Sequence, residues 1–247
     1  MKPKIFIGIV TNKCKDYCAE IFAKSISEYN YPIENILIGI ADNSPSGESS
    51  ILVDCLSKYG FKIKISHYIP TKEQPVREVL ANCRNMLRER FLSSDCDYFF
   101  SLESDVILPP ETLQTLLDCE KDIVSAINVH TYGPDNTKPI VCVNWNSPYP
   151  NISRNAEWHD FYNIREENGR VWIEAKGDIF EVSGIGLGCV LISRRVLEHI
   201  PFRVRLDRPV FDDMFFCNDC IELGFHIWVC PKIVAAHLQG GWEGKRK

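Results

Sequence analysis

Two carboxylates two positions apart, Glu103 and Asp105, follow the strand-forming residues 98–102. A short apolar run of this kind, which a pair of prolines soon stops, predicts a strand buried on both faces. Burying charge inside such a strand would be costly, so we expect the two carboxylates at its mouth. With the small Ser104 between them, they suit a hard divalent cation that also holds phosphate oxygens. An isolated Glu-x-Asp tripeptide is usually only a solvated acidic turn.

A second pair of carboxylates, Asp212 and Asp213, lies at the start of a predicted helix. Apolar residues recur at helical spacing over residues 216–223, and Gly224 provides a typical helix end. The free N–H groups and the dipole at a helix amino terminus stabilise negative charge there. Simple capping explains one of the two carboxylates. Of the two, Asp212 is favoured as the cap.

The elements that must position these residues alternate between strand and helix in the first half of the chain. The predicted strands are 5–10, 36–40, 61–65 and 98–102, and the predicted helices are 18–29, 51–59 and 75–91. Such alternation is typical of an α/β protein with a parallel sheet and helices on both faces. Open sheets of this kind bind ligands at the carboxyl ends of their strands. The ends of the first, second and fourth strands should therefore share one rim.

The second half of the chain is less regular. A strand at 123–129 precedes an irregular insert of about residues 131–160, which is rich in Pro, Asn and aromatic residues. A long irregular segment in a compact domain is usually functional or disordered, and here the aromatics favour a packed loop. The aromatic rings suit sugars, but they serve equally well as core anchors. Further short strands are predicted at 170–175, 180–182 and 226–229.

Residues 182–189 are rich in glycine, but they do not match a dinucleotide-binding fingerprint. That fingerprint needs glycines that open a helix directly after a strand. Here the apolar run 189–192 follows instead, and the next helix starts only near Arg194. We therefore expect this segment to pack its backbone closely beside a ligand.

Length, composition and charge fit a single globular domain. The chain has 247 residues, of which 45% are hydrophobic and 25% charged, which is ordinary for one sizeable core. The net charge of -5 argues against a general nucleic-acid binder. No apolar stretch reaches the length of a transmembrane segment, and the run at 5–10 is too short for a signal peptide. We expect a cytoplasmic protein and leave peripheral attachment to a membrane open.

Eleven cysteines are many for a cytoplasmic chain. Cys217 and Cys220 form the only CxxC pair, and no second pair completes a zinc site at the usual spacing. Both fit the apolar face of the predicted helix, where cysteine acts as a small buried hydrophobe. Structural roles are therefore expected for them, and the sequence leaves disulfide pairing open.

Taken together, the ordered motifs resemble the nucleotide-diphospho-sugar transferases of GT-A fold, in particular the family 2-like glycosyltransferases. The resemblance covers residues 5–237 and depends on the order of the motifs, since each is weak alone. In chain order they are Thr11, Asp42-Asn43-Ser44, an Arg-bearing helix, Glu103-Ser104-Asp105, the segment 188–195, Phe211-Asp212-Asp213 and His237. The resemblance implies a single GT-A-like domain with a Rossmann-type mixed, mostly parallel sheet. Residues 1–109 would form the nucleotide-sugar-binding half, and residues 110–247 the acceptor and catalytic half.

Site roles follow from the resemblance position by position. The matching donor-binding positions are Thr11, Asp42, Arg77, Arg84 and Ser104. Of these, Thr11 and Asp42 would line the nucleoside pocket, and Arg77, or Arg84 instead, would reach the base or diphosphate. The matching metal positions are Glu103, Asp105 and His237, the last as a ligand of metal or diphosphate. The general base matches Asp213, with Asp212 as the alternative.

Two positions depart from the family pattern. Glu103 stands where the metal motif has Asp, and its longer arm could bind ribose or water instead of the metal. Asp212 stands where Glu is commoner, which leaves open which of the two helix-opening carboxylates is the base.

The activity implied is a metal-dependent glycosyltransferase of hexosyltransferase type that uses Mn²⁺ or Mg²⁺. It would move a sugar from a nucleotide-diphosphate donor to the hydroxyl of a glycan, lipid or small molecule, with inversion expected. One alternative is a sugar-phosphate nucleotidyltransferase, although residues 11–15 contain lysines without the glycines usual in its first loop. The other alternative is a non-catalytic domain that binds nucleotide sugars.

Overall fold

The first half of the chain folds into the alternating strands and helices that its hydrophobic periodicity predicts. The computed structural model describes residues 2–46, 48–131, 137–140, 162–167, 170–175, 178–208 and 210–238. The first strands are β1 (Ile5–Thr11), β2 (Ile36–Asp42), β3 (Lys62–His67) and β4 (Tyr98–Glu103). The helices between them are α1 (Ala19–Ser27), α2 (Leu52–Ser57) and α3 (Val76–Leu92). Short 3₁₀ helices lie at Lys13–Cys18 and Ile33–Asn35.

The second half contributes shorter elements. After β4 come β5 (Val106–Ile107), α4 (Thr112–Leu117), β6 (Ile123–Thr131) and β7 (Thr137–Ile140). A separate hairpin consists of β8 (Tyr162–Glu167) and β9 (Arg170–Ala175). The last elements are β10 (Phe180–Val182), β11 (Cys189–Ser193), α5 (Arg194–His199), α6 (Asp212–Glu222) and β12 (Ile227–His237). The predicted strands at 170–175 and 180–182 are both present, and the apolar run 189–192 lies in β11.

The main sheet of the described residues is mixed, in the order β10-β12-β6-β11-β4-β1-β2-β3. The pairs β3-β2, β2-β1, β1-β4 and β6-β12 are parallel, whereas β11 is antiparallel to both β4 and β6. Only β11 and β10 on this path run against the other strands, so the sheet is mostly parallel in direction. β5 and β7 pair at its margins with β12 and β6. The predicted α/β class with a mixed, mostly parallel sheet is confirmed.

Helices cover both faces of the sheet, because alternate side chains of the central strands point to opposite sides. On one face, Ile5, Ile7 and Ile9 of β1 pack with the apolar residues of α1, α2 and α4. On the other face, Phe6 of β1 and Phe99 of β4 pack with those of α3, α5 and α6. The strands in the middle are therefore buried on both sides, as their continuous apolar runs predict.

One arginine fixes the junction of α3, β4 and α5. The guanidinium of Arg194 donates to the carbonyl oxygens of Phe91, Leu92, Ser94 and Cys96, at 2.7–3.2 Å. These carbonyls belong to the last turn of α3 and the residues after it, which have no partner within the helix. The helix is thereby held at the amino end of β4, the strand whose other end carries Glu103.

The last strand is longer than its sequence pattern predicts. We expected it to end at 229, before Pro231, but β12 continues to His237. Its register with β6 shifts between Val229 and Val234, so Pro231 lies at an irregularity where its missing N–H is tolerated. This continuation is what carries His237 to the opposite end of the sheet.

Two other expectations have partial outcomes. Of the insert at about 131–160, the structure describes only residue 131 and the strand β7, which is regular; the aromatic residues of the insert lie outside the described residues. All the described cysteines are free thiols, and Cys217 and Cys220 are buried in α6 as expected. Within the described part of the chain, every helix is too short or too polar to cross a membrane.

Candidate functional site

The carboxyl ends of β1, β2 and β4 meet on one rim of the sheet. Thr11 pairs in register with Asp42, and Val10 pairs with Glu103. This shared rim was expected from the parallel order of the strands. A short loop after β4 then leads into β5, so Asp105 also lies on this rim.

Three ligand-type side chains converge here from distant parts of the sequence. One ligand atom each from Glu103, Asp105 and His237 lies within 4.8 Å of the others. His237 arrives because the end of β12 pairs with Val106 of β5, and because the backbone N–H of Leu238 donates to the carbonyl of Asp105 at 2.7 Å. Its Nε2 is 3.7 Å from Glu103 Oε2 and 3.7 Å from Asp105 Oδ1, too long for hydrogen bonds.

The chemistry of these three residues fits a divalent cation. Asp105 is 1% exposed, and its Oδ1 has no hydrogen-bond partner among the described residues. A buried carboxylate oxygen without a donor is costly unless a cation meets it. Two carboxylates and an imidazole are ligands that Mn²⁺ accepts, and the hard carboxylates also suit Mg²⁺. Glu103, Asp105 and His237 are therefore the residues that could hold such an ion.

The charges of this cluster influence one another. Burial alone lowers the pKa of His237, but the carboxylates of Glu103 and Asp105 outweigh it and raise the pKa above its usual value. Burial alone raises the pKa of Glu103, but His237 and the Arg84 guanidinium outweigh it and lower the pKa. Lys15, in the 3₁₀ helix after β1, forms an ion pair with Asp105 Oδ2.

The second carboxylate pair lies at the start of α6. Asp212 is fully buried, and both its oxygens accept from Arg84 Nη1, at 2.6 and 2.7 Å. Arg84 Nη2 also lies 3.5 Å from Glu103 Oε1. The guanidinium of Arg84 in α3 therefore links Glu103 of the candidate metal site to Asp212 at the start of α6.

The expectation that Asp212 caps the helix is wrong. The cap residue is Phe211, and no side chain caps the helix there. Asp212 is instead the first helical residue and turns inward, because a buried carboxylate needs the cation that Arg84 provides. Asp213 accepts from the N–H of Met214 at 2.7 Å. Burial, together with the charge of Asp212, raises the pKa of Asp213 to about 6.

The expected donor-binding residues have different surroundings. Thr11 Oγ1 is buried and has no hydrogen-bond partner among the described residues. Asp42 Oδ1 accepts from the N–H and hydroxyl of Ser44, at 2.9 and 2.5 Å, and its Oδ2 accepts from the N–H of Ser50 at 2.9 Å. Asp42 therefore orders the loop that follows β2, while its remaining lone pairs still allow it to accept from a ligand.

The remaining three expected donor residues lie around the same rim or beneath it. Arg77, in the first turn of α3, donates from Nη2 to the carbonyl of Leu206 at 3.1 Å, and its Nε is buried without a described partner. Ser104 is buried, and its carbonyl accepts from the Cys18 thiol at 3.2 Å. Arg84 is occupied by carboxylates on both sides.

Two functional contacts were not foreseen from the sequence. The sequence gives Lys15 only as a lysine of the first loop, yet in the structure its ammonium pairs with Asp105. The resemblance gives Arg84 as an alternative to Arg77 at the base or diphosphate, and in the structure its nearest partner is Asp212. The available signal for Lys15 was its position, since a cation in the loop after the first strand lies on the same rim as the end of β4. The sequence gives no such signal for the partner of Arg84.

A parallel half-sheet, β3-β2-β1-β4, is joined through the reversed strand β11 to β6 and β12, and a carboxylate cluster lies at the end of β4. The resemblance stated from the sequence implies a GT-A type of fold, and that fold is confirmed by solved structures that superpose on this chain.

Particular solved structures share this fold. S. aureus TarS in complex with UDP-GlcNAc superposes with a TM-score of 0.59 at 13% identity, over 96% of this chain and 59% of that one. The mannosyltransferase PcManGT from Pyrobaculum calidifontis, in complex with GDP-Man and Mn²⁺, superposes with a TM-score of 0.57 at 12% identity, over 95% of this chain and 56% of that one. The chain thus spans less than two thirds of the length of these neighbours. No model of a known protein family matches the sequence, and neither does any curated protein.

Proposed function

We propose that this chain is a metal-dependent glycosyltransferase of hexosyltransferase type. It transfers a sugar from a nucleotide-diphosphate donor to a hydroxyl acceptor, with inversion at the anomeric carbon. The observation that carries the proposal is the convergence of Glu103, Asp105 and His237 on the rim of β4, with an unpartnered buried oxygen on Asp105. Solved neighbours of this fold in complex with UDP-GlcNAc, or with GDP-Man and Mn²⁺, support the same class of donor.

The first half of the chain, residues 1–109, binds the donor. Thr11 and Asp42, paired across β1 and β2, line the nucleoside pocket, where the free hydroxyl of Thr11 has a hydrogen bond to offer. Arg77 and Ser104 contribute from α3 and from the turn after β4. Glu103, Asp105 and His237 would hold a divalent cation, which would supply positive charge for the departing diphosphate.

Arg84 acts on the donor indirectly, through the carboxylates that it holds. Its Nη1 holds Asp212, and its Nη2 lies 3.5 Å from Glu103, so its charge is already shared between two carboxylates. We therefore assign Arg84 a positioning role: its guanidinium holds Glu103 at the candidate metal site and the start of α6 at the acceptor side.

The base is Asp213, on the acceptor side formed by the second half of the chain. The acceptor oxygen forms a bond to the anomeric carbon as the bond from that carbon to the diphosphate oxygen breaks, and the acceptor proton passes to the Asp213 carboxylate. A pKa of about 6 leaves this carboxylate ionised at neutral pH yet basic enough to accept the proton. Asp212 remains bound to Arg84 and keeps the start of α6 in place.

Ligand-induced stabilisation tests the metal and donor together. UDP, GDP, CDP and dTDP are each added with and without Mn²⁺, and the thermal midpoint is followed. The preferred nucleotide and Mn²⁺ should stabilise the protein by more than the sum of their separate effects, because Asp105 and the diphosphate share the cation. Asp105→Ala should abolish this synergy, while Asp213→Ala should keep most of it. Strictly additive effects with all four nucleotides count against the proposal.

Transfer itself is tested with the sugar nucleotide that the stabilisation panel selects. Asp213→Asn keeps the size of the side chain but removes the basic oxygen, so transfer should fall on the order of a hundredfold or more. Donor affinity should change little. An α-linked donor should give a β-linked product, and an α-linked product would refute the inverting base. Pyrophosphate release from a nucleoside triphosphate and sugar phosphate would point to a nucleotidyltransferase, and donor binding without turnover to a non-catalytic domain.

A further inference from the structure

Lys15 and the candidate metal share one carboxylate. The ammonium of Lys15 is paired with Oδ2 of Asp105, while Oδ1 of the same carboxylate faces the His237 side of the cluster, 3.7 Å from Nε2. The Lys15 side chain is 22% exposed, whereas that of Asp105 is 1% exposed. The lysine therefore reaches down from the solvent side of the rim onto a buried charge.

The backbone that carries Lys15 is firmly held. The N–H of Lys13 donates to the Ser44 hydroxyl at 2.9 Å, which ties the 3₁₀ helix to the end of β2. Within the turn, the N–H of Lys15 donates to the carbonyl of Asn12 at 2.9 Å, and the Cys18 thiol donates to the carbonyl of Lys15 at 3.1 Å. Any rearrangement at this position is thus confined to the four-carbon side chain, which is long and flexible.

We propose that Lys15 and a divalent cation compete for Asp105, and that the displaced ammonium then binds the diphosphate of the donor. This inference rests on the proposed function, since it assumes the same metal site. It adds a ligand for the diphosphate, Lys15, and a reason why cation and nucleotide should bind together.

The competition follows from charge. A cation that bonds to Asp105 withdraws the carboxylate charge that holds the ammonium, and two positive groups on one carboxylate repel each other. An ammonium left on a partly buried rim without an anion is poorly stabilised. The diphosphate that the cation itself attracts is an anion that can replace Asp105, and a lysine ammonium is a common point-charge ligand for phosphate.

The consequence is a linked equilibrium. A cation alone must break the pair between Lys15 and Asp105 without compensation, so its affinity is weakened. With a diphosphate present the ammonium gains a new partner, so binding of the diphosphate restores the affinity for the cation. The chain would therefore bind cation and diphosphate cooperatively, beyond the contact that the two ligands make with each other.

The experiment compares variants of Lys15 with a matched control in the same 3₁₀ helix. Lys15→Met removes the charge and keeps the length of the stem, and Lys15→Arg keeps the charge. Lys13→Met makes the same chemical change two residues away, where the lysine pairs with the exposed Glu48 at 3.1 Å. Free Mn²⁺ is measured by its electron paramagnetic resonance signal, first with protein alone and then with inorganic pyrophosphate. Binding of Mn²⁺ to pyrophosphate in solution is the same for all variants, so differences between them report the protein.

Lys15→Met should bind Mn²⁺ alone on the order of tenfold more tightly than wild type, because a charge-assisted pair no longer opposes the ion. At saturating Mn²⁺ it should bind pyrophosphate on the order of tenfold more weakly. Lys15→Arg should remain close to wild type in the first measurement, and Lys13→Met in both. Circular dichroism checks that each variant is folded, and Lys15→Gln serves as a second neutral variant if Lys15→Met is not.

Unchanged affinity for Mn²⁺ in both neutral variants would overturn the competition while leaving the proposed metal site intact. Tighter Mn²⁺ binding with unchanged affinity for pyrophosphate would overturn the transfer of Lys15 to the diphosphate. Absence of any binding of Mn²⁺ to wild type, with or without pyrophosphate, would refute the metal site of the proposed function and the competition with it. A gain in Mn²⁺ affinity for Lys13→Met equal to that for Lys15→Met would show a mere effect of net charge.

Discussion

Replacing Arg84 with methionine should destabilise the fold strongly. The substitution keeps an unbranched side chain in the helix α3 but removes the guanidinium that both oxygens of Asp212 contact. Arg84 is 6% exposed and Asp212 is fully buried, so neither water nor another cation near Asp212 can replace the lost partner without rearrangement. The carboxylate is left uncompensated in the interior.

The magnitude follows from this burial. Removing one partner of a buried ion pair costs about 3–5 kcal/mol, because the other charge stays desolvated. Asp212→Asn should cost less stability, because the carboxylate of Glu103, 3.5 Å from Arg84, still compensates the guanidinium. The double variant Arg84→Met with Asp212→Asn removes both charges. Its loss should be smaller than the sum of the single losses by about 2 kcal/mol, within the range found for contacting residues.

Urea unfolding followed by circular dichroism measures the free energy of unfolding of the wild type, the two single variants and the double variant. An exposed arginine-aspartate pair supplies the control: Arg195 donates from two nitrogens to Asp122, but its side chain is 67% exposed. Arg195→Met should therefore cost less than about 1 kcal/mol. If Arg84→Met costs no more than this control, or if the single losses of the buried pair simply add, then Arg84 does not compensate Asp212.

Two further predictions concern Asp213 and the centre of the sheet. The pKa of Asp213 is about 6 in the folded chain against an ordinary 3.8, so the folded state binds this proton more tightly and loses stability as pH rises from about 4 to 6. Asp213→Asn lacks this loss, so at pH 7 urea unfolding should show it to be more stable than wild type by on the order of 2 kcal/mol. This gain in stability should disappear near pH 4. An equal gain at both pH values would contradict the raised pKa. Gly8→Ala should lose about 1–3 kcal/mol of stability, because a Cβ there would clash with Cζ of the buried Phe99 ring. Phe6 and Phe91 hold that ring in place, each at a centroid distance of 5.6 Å. Gly186→Ala, where a Cβ meets nothing within 4 Å, is the control, and equal losses in the two variants would refute the steric argument.

The rim of the site could be predicted because a strong physical rule fixes it. Residues 98–102 are apolar enough to be buried on both faces, so Glu103 and Asp105 had to emerge at one end. Parallel order then aligned that end with Thr11 and Asp42, as the observed register confirms. Each of these steps depends on local pattern alone.

The end of the last strand could not be predicted for a specific reason. Proline normally stops an interior strand, so the sequence predicts a strand that ends at 229, before Pro231. The structure places Pro231 in a stretch where the register between β12 and β6 shifts, so the regular ladder that a proline would interrupt is already broken there. Irregularities of this kind depend on the partner strand, which the local sequence does not contain.

The side-chain partners within the site depend on tertiary packing. Asp212 and Asp213 are neighbours in sequence, and their roles differ only because one faces Arg84 and the other does not. Helical periodicity gives the angle between neighbouring residues but not which of them faces inward at a helix end. Lys15 has a long flexible arm, so its contact with Asp105 is likewise set by the fold rather than by its spacing in the sequence.

The pairing of β12 with β5 has a consequence for folding. His237 meets Asp105 only after β12 has paired with β6 and with β5, which are separated from it by most of the second half of the chain. Contacts between residues so distant in sequence form late, because closing long loops costs entropy before the contacts repay it. Partly folded chains would expose Glu103 and Asp105 without their histidine, so the complete ligand set exists only in the finished fold. A cation that requires all three ligands would then stabilise the last strand to dock, and its retention would report that folding is complete.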